Sequence, residues 1–218
     1  LSPVLAGLLL LISPFFVLMY GTQLSHTSGL AAVAALLYGY LGWLHTGKKR
    51  YAAIAGLAWS FFFLNRTYTA MLIAGPFGLH ACWVWLRDRR ASVFGGVAAF
   101  AGCALVGVAG YLLYNWLAVG DAFTATYLFY EPSEGLGFGA RRLQGKKVYH
   151  TLERGLSFLR GDLGLLDHWL YGVPGSLIGA LALGVAGFRR WTLLMFGAVV
   201  AIWGGYVFFW FRGVTDAG

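Results

Sequence analysis

Charge is what this chain has least of. Only 11% of its 218 residues are Asp, Glu, Lys or Arg, with 8 acidic against 16 basic, while 59% are apolar. So little charged surface excludes an ordinary soluble α domain, which would have to hide helices that are apolar on every face. Cysteine is scarcer still: Cys82 and Cys103 both fall in apolar runs, which excludes a disulfide framework and makes each thiol a small hydrophobe. His26, His45, His80, His150 and His168 match no metal-binding spacing, so no metal site is assigned, no cofactor follows, and a need for a divalent cation is left open. The formal charge of +8 would suit nucleic acid, but the basic residues stand in short clusters at the ends of apolar runs, a pattern of membrane topology that excludes nucleic acid as the partner. No basic stretch precedes the first apolar run, so it is not a signal peptide, and a start at Leu1 beside a helix reads as a piece of a longer parent.

What is present is apolar sequence long enough to cross a bilayer about seven times, which predicts an all-α polytopic membrane helix bundle with one long outer loop. The expected spans are 3–19, 29–44, 51–64, 69–86, 92–119, 169–188 and 191–211, with Pro14 and Pro76 bending the first and fourth. The third is short; from Lys48 to Arg66 it reaches about 27 Å. Gly95, Gly96, Gly102, Gly107 and Gly110 make the fifth a close-packing helix expected inside the bundle, and Tyr114, Asn115 and Trp116 suit its membrane interface. The chain thus divides into helices one to five (1–116), an outer segment (117–168) and helices six and seven (169–218). Basic clusters at 48–50, 87–90 and 189–190 fall on one side if each span crosses once, which makes that side cytoplasmic and 117–168 extracytoplasmic in a multi-pass plasma-membrane protein.

The outer segment holds most of the polar chemistry. In 131–139, Gly135, Gly137 and Gly139 punctuate a turn-rich stretch that is too irregular for a nucleotide-binding fingerprint. Val148, Leu152, Leu156, Leu159 and Leu163 then form the stripe of an amphipathic helix expected to lie on the outer membrane face.

Four groups of side chains are candidates for function. Arg66 ends the short third span among Asn65, Thr67 and Tyr68; it is either a snorkelled anchor or a ligand for a phosphate or carboxylate. Arg141, Arg142, Lys146 and Lys147 place four cations in seven positions, suited to a lipid phosphate or simply to anionic headgroups and nearby glutamates. Asp121, Glu131 and Glu134 are weak candidates for a base, a metal ligand or a sugar-hydroxyl acceptor, with a turn role open for Asp121; Asp167 and His168 are adjacent without being shown to share a pocket. Tyr127, Phe129, Tyr130 and Phe138 can stack on a sugar or prenyl chain or simply occupy the interface.

Ser13-Pro-Phe-Phe16 with Ser25-His-Thr27, Leu64-Asn-Arg-Thr-Tyr-Thr-Ala70, Tyr114-Asn115 with Gly120-Asp121, Phe129-Tyr-Glu-Pro132 with Gly135-Leu-Gly-Phe-Gly139, and Leu170-Tyr-Gly-Val-Pro-Gly-Ser-Leu177 follow one another in an order that resembles the polytopic bacterial glycosyltransferases of the C-type membrane fold. That group contains protein O-mannosyltransferases and lipid A aminoarabinose transferases. The resemblance implies transfer of a sugar from a polyprenyl-phosphate donor to an acceptor glycan, lipid or protein at the outer face of the membrane. It implies a donor-phosphate role for Arg66 and a loop role for Asp121, Glu131 and 135–139. The acceptor-activating carboxylate of such enzymes lies in a first outer loop that has no counterpart here, and Thr67 stands where relatives often have proline. A transporter or flippase would concentrate charge or broken helices near mid-membrane, and a non-enzymatic scaffold would use the outer segment only for contact; both remain alternatives.

Overall fold

A computed structural model describes residues 8, 13, 26–132, 135–143, 146–188 and 190–209, with the backbone alone at 91, 143, 146 and 190. The expected first span and Pro14 therefore lie outside the described residues, apart from a helical Leu8 and Ser13. The chain forms two compact units, one from Ser25–Tyr130 and one from Leu1–Leu24 with Glu131–Gly218.

The first of these units is an up-and-down bundle of α1 (His26–Thr46), α2 (Lys49–Asn65), α3 (Thr67–Arg87) and α4 (Ala91–Val119), closed by a short α5 (Thr126–Tyr130). Three of them, α1, α3 and 92–119 of α4, are long and apolar enough to cross a membrane. At 17 residues α2 is shorter, about 25 Å of helix, and it is the centre of the unit.

Small residues let the neighbours reach it. A Cβ on Gly39 of α1 would stand 2.6 Å from the Ala55 backbone nitrogen, and one on Gly56 would stand 2.4 Å from the Phe100 carbonyl oxygen of α4. The Ser60 hydroxyl enters the α4 backbone ladder, donating to Cys103 O at 2.6 Å and accepting from Gly107 N–H at 2.9 Å. Two backbones this close gain packing that larger side chains would prevent. Aromatic edges fill the α1, α3 and α4 side, where Tyr40 meets Trp43, Phe77 and Phe100, and the Tyr40 hydroxyl lies 2.8 Å from His80 Nδ1.

The glycine-rich fifth span is confirmed as a helix, but its place differs from the expectation. It meets α2 through Gly95 and Gly107 and α1 through Gly96, while Phe94, Leu105, Val106, Leu113 and Leu117 are exposed. The helix that neighbours approach most closely is α2, whose buried Ala52, Ala55, Gly56 and Ser60 are small, although its Ile54, Leu57, Phe61 and Leu64 stay exposed. Pro76 does not end α3, which runs continuously through it.

In the second unit, β1 (Gly139–Leu143) and β2 (Lys146–His150) pair as an antiparallel hairpin, followed by α6 (Leu152–Trp169), α7 (Ser176–Ala186) and α8 (Arg190–Tyr206). The amphipathic helix exists, but it begins at Leu152, capped by the Thr151 hydroxyl accepting from Arg154 N–H. Val148, which shares its apolar spacing, belongs to a strand. Among the described residues the chain is therefore mostly helical with one hairpin, rather than purely α.

The expected sixth span is also broken. Only 11 residues of it are helical in α7, about 16 Å, because the chain turns at Gly172 and Gly175, both with positive φ. Asp167 fixes that turn, accepting from Gly175 N–H at 2.7 Å and Leu177 N–H at 2.9 Å. These two bonds hold its carboxyl below the usual carboxylate range. Gly155 brings α6 against the chain after α8: a Cβ there would meet Val207 O at 2.3 Å.

Candidate functional site

One end of the four-helix unit gathers polar side chains from three helices. Arg66 is the single residue between α2 and α3, in a backbone conformation neither helical nor extended (φ −141°, ψ 69°). Its N–H donates to Phe62 O at 2.7 Å and its carbonyl accepts from Ala70 N–H at 2.9 Å, so the break is closed on both sides. Thr67 donates its hydroxyl to Phe63 O at 2.9 Å, meeting a helix-end carbonyl that would otherwise lack a partner. Proline at 67 would offer no such hydroxyl.

The Arg66 side chain crosses to α1. Its Cδ lies over Gly29, and Nη1 is 2.5 Å from His26 Nδ1. A guanidinium only donates, so His26 accepts at Nδ1 and carries its proton on Nε2. Beside them Asn65 Nδ2 donates to Ser28 Oγ at 2.6 Å. Among the described residues Arg66 forms no ion pair with a carboxylate. Its charge is oriented by neutral groups and meets no opposite charge among the described residues, the condition that suits an anion-binding group.

Arg141, Arg142 and Lys147 separate on the hairpin. Register pairs Arg142 with Lys147 and Arg141 with Val148, so Arg142 and Lys147 share one face and Arg141 takes the other. The Arg141 guanidinium turns back on its own loop, with Nη2 donating to Gly137 O at 2.8 Å and Leu136 O at 3.3 Å. Arg142 and Lys147 are exposed, and the Lys147 ammonium lies 5.5 Å from the centre of the Tyr149 ring. The Lys146 backbone pairs with Leu143; its side chain lies outside the described residues.

Gly137 and Gly139 have φ of +95° and +139°, so the glycine segment is a shaped turn, and Gly137 N–H donates to Phe208 O at 3.0 Å. Gly135 lies in the same loop. Phe138 packs against His150 and Phe208, with His150 buried and its Nε2 donating to Val207 O at 3.0 Å. Tyr127, Phe129 and Tyr130 are exposed.

Asp121 follows the left-handed Gly120 that ends α4 and accepts from the Thr124 hydroxyl and from Phe123 N–H at 3.1 Å. Those bonds, the hydroxyl first, hold its carboxyl below the usual range, which makes it a weaker proton acceptor. Glu131 is exposed at the end of α5, and Glu134 lies outside the described residues. Asp167 and His168 do not pair as a dyad: Asp167 caps α7, and His168 Nδ1 lies 3.0 Å from Gly164 O. No group of three or more His, Cys, Asp or Glu side chains among the described residues could hold a metal ion.

Sequence reasoning missed two polar anchors. His26 is 40 residues from Arg66, and nothing local announces their contact. Asn115 is not an interface residue but fully buried, donating to Ala122 O at 3.2 Å and accepting from the Thr126 hydroxyl at 3.3 Å, which ties the 120–126 loop to α4. Its neighbours Tyr114 and Trp116 are exposed as an interface pair would be. Comparison with known proteins finds no matching family model, no matching curated protein and no matching solved structure, so the function is read from these residues themselves.

Proposed function

We propose that the chain is the donor-binding membrane part of a glycosyltransferase that takes its sugar from a polyprenyl-phosphate carrier. The observation that carries this reading is Arg66: a cation at the end of a bundle of apolar helices, aimed by His26 and lacking a carboxylate partner among the described residues. A lipid phosphate suits such a place, since its chain can lie along exposed apolar helix faces while its charge meets a guanidinium. The serial patterns shared with C-type membrane glycosyltransferases support the same assignment.

In this role Arg66 binds the phosphate and stabilises the charge that grows on it as the sugar leaves. Asn65 and Ser28 supply neutral hydrogen-bonding groups beside it. Arg142 and Lys147 are the cations of the hairpin open to a second anionic contact, while Arg141 supports the glycine turn. The Arg66 end is extracytoplasmic in this reading, in the plasma membrane, and the end with the short basic turns is cytoplasmic.

Photocrosslinking with a polyprenyl-phosphate sugar carrying a diazirine near the phosphate tests the placement. Labelled peptides should contain 26–29 or 65–68, and excess unlabelled donor should suppress them. Labelling confined to 139–150, or labelling that donor does not suppress, would contradict it.

A further inference from the structure

The opposite end of the same four-helix unit carries a second, denser positive surface. Gly47 and Lys48 join α1 to α2, and 88–90 join α3 to α4. The two turns are neighbours: the Lys49 side chain lies over Gly95 in α4, where a Cβ would stand 2.4 Å from Lys49 Cε, and Trp43 covers Gly96. Lys48, Lys49, Arg50, Arg87, Arg89 and Arg90 are all exposed there. Asp88 is the one carboxylate between them, and Arg90 takes it, with Nε donating to both its oxygens at 2.8 Å. The remaining five cations have no ion pair among the described residues.

Their chemistry selects the partner. Arg50, Arg87 and Arg89 lie 5.1 Å from Tyr51, 5.3 Å from Trp83 and 5.5 Å from Trp85, so each guanidinium stands over an aromatic ring at the end of an apolar helix. Cations stacked on aromatics, directly beyond exposed Leu79, Leu86 and Phe94, match the order of a bilayer read outward from acyl chain to interface to phosphate. A soluble anion would explain the charge but not the apolar belt continuous with it.

We infer that this end is a docking surface for anionic phospholipid headgroups, which hold the two turns together as a ring of phosphates around the α2 and α4 starts. It does not depend on the sugar-donor role of Arg66. It does rest on the placement of these helices in a membrane.

The test uses the full chain in phosphatidylcholine nanodiscs containing traces of spin-labelled phosphatidylglycerol or spin-labelled phosphatidylcholine. The motionally restricted fraction should favour phosphatidylglycerol. Since each surface cation contributes about fivefold near an anionic bilayer, most of the preference should disappear in the combined variant Lys48→Gln, Arg50→Gln, Arg89→Gln, whose side chains are exposed. It should also fall in high salt and remain intact in Arg66→Gln, which separates it from donor binding. Equal restriction of both lipids, or a preference that survives the triple variant, would overturn the proposal. Displacement by inorganic phosphate beyond that by chloride of matched ionic strength would also overturn it, assigning a soluble-anion site instead.

Discussion

Arg66 shows how neutral neighbours can aim a charge without cancelling it. An acidic partner would settle the guanidinium as part of the fold; His26 orients it and leaves the charge available. Asp167 is the contrasting case, a carboxylate whose two oxygens are used by backbone N–H groups at the start of α7. Because those bonds lower its pKa, its stabilising effect is present above the ordinary carboxylate pKa of about 4 and is lost as pH falls through the lowered value of the folded chain. Amide exchange at Gly175 and Leu177 should therefore accelerate relative to other α7 amides on acidification below that range, and this extra acceleration should vanish in Asp167→Asn. Equal pH responses in both proteins would contradict the role. Arg66 was legible because an arginine after a short apolar run is conspicuous. His26 was not, because a contact across 40 residues exists only once α1 and α3 start at the same end.

At the scale of helices, close approach decides which glycines matter. The five glycines of α4 are equivalent in the sequence, yet Gly107 faces the Ser60 backbone and Gly102 has nothing within 4 Å of an added Cβ. Gly56→Ala or Gly107→Ala should cost about 1–3 kcal/mol by forcing α2 and α4 apart. Gly102→Ala should be neutral or gain up to about 1 kcal/mol from helix propensity. Thermal unfolding in detergent micelles measures the difference, and three equal midpoints would refute the backbone contact.

The amphipathic α6 was legible from its leucines, although its start was not. Apolar spacing continues through Val148, and only the Arg142–Lys147 pairing with its cross-strand neighbours makes 146–150 a strand. In a bilayer, a nitroxide at the exposed Leu156 should be accessible to oxygen, whereas one at Glu153 should favour a water-soluble relaxation agent. The same accessibility at both sites would place α6 away from the interface. The broken sixth span has a related cause. Its composition is apolar throughout, but Gly172, Pro174 and Gly175 with the Asp167 cap end one helix and begin another, so apolar content did not establish helix continuity.

For the molecule as a whole, membrane-length apolar helices in Ser25–Tyr130 separate two polar ends of different character. One holds Arg66 with uncharged partners; the other holds six cations around Asp88. The first suits a specific phosphate and the second a charged surface. The measurement that bears most directly on the functional account is equilibrium binding of a polyprenyl-phosphate sugar to the full chain in nanodiscs, with Arg66→Gln as the decisive variant. Loss of hydrogen bonds to a charged phosphate predicts affinity about tenfold to a hundredfold weaker, with Lys48→Gln, Arg50→Gln, Arg89→Gln binding as the native chain does. Saturable binding unchanged by Arg66→Gln, or no binding by the native chain, would contradict the account.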